Sequence, residues 1–208
     1  ESIFTVRDGN YRCPSSQQGY SPFSTWTRGL SWVLTGCAEQ LEYLRVTKSS
    51  AIEPFISKRK LVGIVEKAAV ATAEFHLRNS FADGIPFWDT GAPGVSSFGN
   101  ISTRRSNPAN DREPLDSSAA AISAQGYLRL GNYFAAKGNR SKGNRYRAAG
   151  LTIAATLLRK GYNVRACVRN PDDQAKTAHL RLMGGWEDKG DGEWEEKPLD
   201  TTGFPDDC

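Results

Sequence analysis

With 208 residues, 38% of them hydrophobic and 24% charged, the chain has an ordinary globular composition and enough length for one substantial core. No apolar run reaches the roughly 18 residues of a bilayer span and no secretory leader opens the chain, so no membrane partner is expected. Net charge is +4, with a basic stretch from Arg104 to Arg169 and an acidic one from Glu187 to Asp207. The run Lys137 to Arg147, KGNRSKGNRYR, carries a single aromatic and reads as a solvated connector, so no nucleic acid is expected either.

Cys13, Cys37, Cys167 and Cys208 form no CxxC pair and have no histidine at zinc spacing, which predicts thiols and no metal centre. No cofactor is expected. The triplets Asn100-Ile-Ser and Asn139-Arg-Ser would be glycan acceptors only in a secretory compartment, and compartment and oligomeric state stay open. The chain opens on Glu1 and is in motif-rich sequence by Gln18, and it reads as a segment of a longer protein.

Along the chain, Trp26, Leu30, Val33, Leu34, Cys37, Leu41 and Leu44 recur at helical spacing and predict a helix from Ser24 to about Val46, with the serine and threonine at its head able to cap. A second helix is predicted from about Ser57 to Asn79 on Leu61, Ile64, Val65, Ala68, Ala71 and Phe75, making a hairpin with the first. Residues 80–115 are rich in Gly, Pro, Ser and Asn and read as a long irregular connection of the kind that often carries function. Asp116 with two serines predicts a helix start, and Ile122, Tyr127, Leu128, Leu130 and Phe134 carry that helix to Ala136. A fourth helix is predicted from about Asn144 to Lys160, capped by Ser141 and buried through Ala148, Leu151, Ile153, Ala154 and Leu157. After Gly161 the texture changes to a strand, Asn163 to Val168, and a short helix to about Met183, followed by an acidic flexible tail over 186–208.

The residues able to carry chemistry lie in two places. In QGYSPFSTWTRGLSW, Gln18 to Trp32, six residues separate Trp26 from Trp32, which puts them on different helical faces, one free for the core and one for a ligand. An exposed tryptophan beside Arg28 can stack on a sugar while the guanidinium forks onto a carboxylate; alternatively both indoles are core and Arg28 is a surface ion-pair partner. In DGIPFWDTGAPG, Asp83 to Gly94, Trp88 and Asp89 can line a pocket, or Asp89 orders its own turn, while Asp116 either does acid or base work or caps its helix. His76 and His179 are isolated and read as structural or surface residues.

Taken in order, QGYSPFSTWTRGLSW, DGIPFWDTGAP and LDSSAAAIS resemble the unsaturated glucuronyl hydrolases over about residues 1–158. The resemblance implies a mainly α fold, a partial (α/α) six-hairpin toroid of which this chain supplies the later half, and an acidic oligosaccharide as partner. It implies hydrolysis of a non-reducing-end unsaturated uronic acid, begun by an aspartic acid protonating the C4=C5 vinyl ether. It also implies Gln18, Arg28 and Trp32 as substrate-binding residues, with Trp88 and Asp89 near the pocket. The family's catalytic aspartates precede the QG motif, where Asp8 is the sole aspartate here and matches no acid; Ser21, Pro22 and Phe23 stand where many members carry acidic residues. An incomplete catalytic unit is the expectation.

Gly150 to Met183 resembles instead a strand-helix fragment of dihydroflavonol-reductase-like, short-chain NADP enzymes, which would make Arg169 and Lys176 contacts to a 2′-phosphate. Its earlier two phosphate-turn glycines fall on Asn144 and Arg147, and no TyrxxxLys pair follows this piece. The organisation expected is therefore a hydrolase-like helical segment over 1–160, a reductase-like piece over 161–185 and the tail. A non-catalytic saccharide-binding helical domain is the further alternative.

Overall fold

The computed structural model describes residues 2–162, 186–188 and 194–196. The chain divides into two units, Glu1–Ile153 and Ala154–Cys208. In the first, β1 (Ser2–Phe4) pairs antiparallel with β2 (Tyr11–Pro14). Then come helices α1 (Thr27–Val46), α2 (Lys58–Arg78), α3 (Ser117–Ala136) and α4 (Arg140–Arg159), the last running on into the second unit. In the second, β3 (Trp186–Asp188) pairs antiparallel with β4 (Trp194–Glu196), inside the stretch read as a tail. The predicted strand and helix between Asn163 and Met183 lie outside the described residues. Among the described residues no helix is long and apolar enough to cross a membrane.

The mainly helical fold is as the periodicity predicts, with four helices among the described residues near the expected places. The β1–β2 hairpin was not anticipated, because its residues are almost all exposed and show no alternation. It is set by its turn, where Thr5 N donates to Asn10 O at 2.8 Å and Asn10 N to Asp8 Oδ1 at 3.1 Å.

Helix α1 packs on both α2 and α3. It contributes Leu34, Ala38, Leu41 and Leu44 to the core, and α3 contributes Ala120, Tyr127, Leu130 and Phe134. On α2 the buried face is Ala69, Ala73 and His76, while Ile64 and Ala71 are exposed. Of the other residues expected to face inward, Leu61, Val65, Ala68 and Phe75 are half-buried, and the small Ala69 and Ala73 take the fully buried positions, which lets α2 lie close to its neighbours.

Two helix starts also differ from expectation. Ser24 and Thr25 do not cap α1; its first N–H, on Thr27, donates to Trp88 O at 3.1 Å, so a neighbouring segment does the capping. Helix α4 begins four residues early, because Asn139 rather than Ser141 caps it, Lys142 N donating to Asn139 Oδ1 at 3.1 Å. The chain reverses in so few residues because Gly138 takes φ +92° and lets Asn139 N reach Phe134 O at 2.9 Å, which closes α3.

Candidate functional site

The three motifs converge on one strip of paired backbone. Isolated bridges join Trp26 to Asp89 and Phe87 to Leu115. Thr90 N donates to Thr25 O at 3.0 Å, the Thr27 hydroxyl to Phe87 O at 2.6 Å, and Asp116 N to Pro86 O at 3.0 Å. The 80–115 connection is accordingly a packed platform, with Phe81, Phe87 and Phe98 in mutual edge or tilted contact at 4.9–6.0 Å between ring centres. Its near edge holds the heads of α1 and α3 side by side.

Three carboxylates, Asp89, Glu113 and Asp116, are committed to this scaffold. Asp89 is fully buried; its Oδ2 accepts from Tyr20 N at 3.0 Å and its Oδ1 from Gly91 N at 2.9 Å, so it ties the Gln18-Gly19-Tyr20 turn to the platform. A side chain at Gly19 would collide there, its Cβ standing 2.7 Å from Ser16 Oγ and 3.0 Å from Asp89 Oδ2. Glu113, also buried, accepts from Trp88 Nε1 at 2.6 Å and from Gly94 N at 2.7 Å. Asp116 caps α3, its Oδ1 accepting from Ala119 N at 2.8 Å and from the Ser118 hydroxyl at 2.6 Å.

Arg28 leans on the other oxygen of Asp116, with Nε and Nη2 each 3.1 Å from Oδ2. Its guanidinium carbon lies 5.8 Å from the ring centre of Trp26, and its side chain is nevertheless 46% exposed. Trp32, one helical turn further along the same face of α1, is 57% exposed, while Trp26 is half-buried, so the division of labour between the two indoles is the one their spacing allows. Trp88 is half-buried and meets the exposed Tyr20 edge-on at 6.4 Å. Gln18 is exposed on the turn that Asp89 holds. The residues thus gathered offer a fixed cation, exposed aromatic faces and an amide, a combination suited to a ring bearing a carboxylate.

Comparisons with known proteins bear on the fold. The curated unsaturated glucuronyl hydrolase of Formosa agariphila is 27% identical over 127 residues, 60% of this chain and 24% of that protein. The solved unsaturated glucuronyl hydrolase of Bacillus sp. GL1, described as responsible for the degradation of glycosaminoglycan, superposes with TM-score 0.55 at 26% identity, covering 79% of this chain and 34% of its own. The chain resembles the unsaturated glucuronyl hydrolases. A further solved structure, UGL with dGlcA-Glc-Rha-Glc, gives TM-score 0.54 at 27% identity over the same shares of the two chains. The Streptococcus agalactiae enzyme, at 18% identity and TM-score 0.51, shares the fold. The likeness establishes the helical, toroid-derived fold, and the chain spans about a third of the length of these solved relatives and about a quarter of the curated one. No family model matches the chain.

The reductase-like reading finds no support in these comparisons, and α4 gives a physical reason. Asn144, Arg147 and Gly150 lie inside one continuous helix, not in a turn ahead of one, so no phosphate loop forms. Gly150 serves close packing instead, since a Cβ there would stand 2.8 Å from Ala124 O and 2.9 Å from Leu128 Cγ on α3. Arg169 and Lys176 lie outside the described residues.

What sequence reasoning missed is the role of Glu113, which holds Trp88 and Gly94 together, and the buried network around His76. There the Ser123 hydroxyl lies 2.8 Å from Nε2 and the Tyr127 hydroxyl 3.1 Å from Nδ1. Burial lowers the His76 pKa to about 4.

Proposed function

We propose that this chain grips the unsaturated uronic acid end of an acidic oligosaccharide, as the sugar-holding part of a glycoside-hydrolase-like site. The observation that carries the reading is the exposed edge of a pinned Arg28 one turn from an exposed Trp32. The guanidinium would fork onto the uronate carboxylate while Trp32, with Trp88 and Tyr20 beyond the platform, stacks on or edges the rings; Gln18 would donate to a hydroxyl or to the carboxylate. Asp89 would act through the turn it orders. In the complete reaction, a carboxylic acid protonates C4 of the vinyl ether, water adds at C5, and the resulting hemiketal opens with loss of the glycosidic bond.

A second reading, a saccharide-binding unit without catalysis of its own, is favoured by one specific observation. Asp89, Glu113 and Asp116 already accept two or more hydrogen bonds each from the scaffold, so their oxygens are occupied in holding it together. The deciding experiment is calorimetry with an unsaturated uronic-acid disaccharide and its neutral counterpart. Arg28→Ala should cost the acidic ligand about tenfold or more in affinity and leave the neutral one nearly unchanged, since only the former offers a charge-assisted fork. Equal losses for both ligands would make Arg28 structural and sink the reading.

A further inference from the structure

Arg28 sits in the first turn of α1, where the helix dipole disfavours a cation, and it is held there by one oxygen of Asp116. Asp116 is itself immobile. It is 5% exposed, its N–H is bonded to Pro86 O at 3.0 Å, and its second oxygen is occupied by Ala119 N and Ser118. A long, rotamer-rich side chain is thus fixed along its Nε–Nη2 edge, backed by Trp26, with its remaining donors turned away from the pair. The ring of Trp26 folds over Gly29, where a Cβ would come within 2.7 Å of Cε3, so the glycine that follows Arg28 makes room for that backing.

We propose that Asp116 is a positioning residue for carboxylate recognition. By neutralising and orienting Arg28 it leaves one guanidinium edge pre-set for the ligand, so that little side-chain entropy remains to be lost on binding. The proposal rests on the saccharide reading above. It predicts that Asp116 governs the preference for acidic over neutral sugar without touching the sugar.

Asp116→Asn separates this role from the helix cap. Asparagine caps as well as aspartate does, so its oxygen can keep Ala119 N, but its amide then points N–H donors at the N–H donors of Arg28. The guanidinium should be expelled while α3 stays capped. Expected are a wild-type Arg28 Nε–H resonance protected from exchange and lost in Asp116→Asn. The acid-to-neutral affinity ratio should fall about tenfold, with neutral-sugar affinity nearly unchanged. If Asp116→Asn fails to fold, Asp116→Ser, a good cap too short to reach Arg28, replaces it. Selectivity that survives the substitution in a selective wild type overturns this proposal alone. A wild type with no preference for the acidic ligand overturns the saccharide reading and this proposal with it, whatever the Nε–H resonance shows.

Discussion

The indole Nε1 of Trp88 donates to Glu113 Oε1 at 2.6 Å, and Gly94 N donates to the other oxygen at 2.7 Å, so one buried carboxylate fastens both ends of the DTGAPG turn. Glu113→Gln keeps the shape but can accept through one oxygen only, leaving either the indole or the amide of Gly94 facing N–H. A buried donor left unpaired costs about 1–3 kcal/mol. Urea unfolding should therefore show a loss of that size with an unchanged slope. Trp88→Phe in the same background should recover part of it, by removing one of the two donors competing for the single oxygen.

His76 supplies a pH dependence. The Tyr127 hydroxyl, which also donates to Ala73 O at 2.8 Å, lies 3.1 Å from Nδ1 of His76 and the Ser123 hydroxyl lies 2.8 Å from Nε2, so both ring nitrogens have hydrogen-bond partners. The buried ring is neutral because burial holds its pKa at about 4, below the ordinary 6.5. A depressed folded-state value means the unfolded chain binds the proton first. The stability that His76 contributes is thus complete above about pH 6.5 and is lost as pH falls toward about 4, by about 3 kcal/mol in all. Unfolding midpoints should fall across that window in the wild type and less steeply in His76→Gln. A His76 resonance titrating near the ordinary histidine value would contradict the assignment.

Glycine positions give paired tests of opposite sign. At Gly150 a Cβ would stand 2.8 Å from the backbone oxygen of Ala124, which cannot swing aside, whereas at Gly63 on α2 it would meet nothing within 4 Å. Gly63→Ala should stabilise by about 0.5–1 kcal/mol through helix propensity. Gly150→Ala gains the same term but adds overpacking of about 1–3 kcal/mol, so the net change should be destabilising. Thermal unfolding of the two variants side by side reads both signs.

Helix existence was legible in the sequence because spacing alone reports it, and α1 and α3 turned the expected Leu34, Leu41, Leu44, Tyr127, Leu130 and Phe134 inward. The facing of α2 was legible only in part: Leu61, Val65, Ala68 and Phe75 are half-buried as their spacing suggests, while close helix contact made Ala69 and Ala73 the fully buried positions. The site was legible as three motifs but not as an assembly. That Arg28 would meet Asp116, 88 residues away, follows from the bridges joining residue 26 to 89 and 87 to 115, and no local pattern encodes those pairings. Asp89 and Asp116 each had two readings, and hydrogen-bond partners, invisible in sequence, show one ordering a turn and the other capping a helix.

These partners bear on turnover by the 208-residue chain. Protonating a vinyl ether on carbon requires a carboxylic acid kept protonated beside the alkene. Asp89 accepts two backbone N–H bonds, Glu113 an indole and a backbone N–H, and Asp116 a backbone N–H, a hydroxyl and a guanidinium. Each is therefore committed to holding the scaffold, and Asp89 is further walled from ligand by full burial. The purified chain should bind unsaturated uronic-acid oligosaccharides yet leave their alkene absorbance unchanged over hours. Asp89→Asn should lower stability by about 1–3 kcal/mol, through the unpaired N–H of Tyr20 or Gly91, without altering that null rate. A clear decay of the alkene signal that Asp89→Asn abolishes, in a variant still folded by circular dichroism, would make Asp89 the acid and overturn its assignment as the organiser of the Gln18 turn.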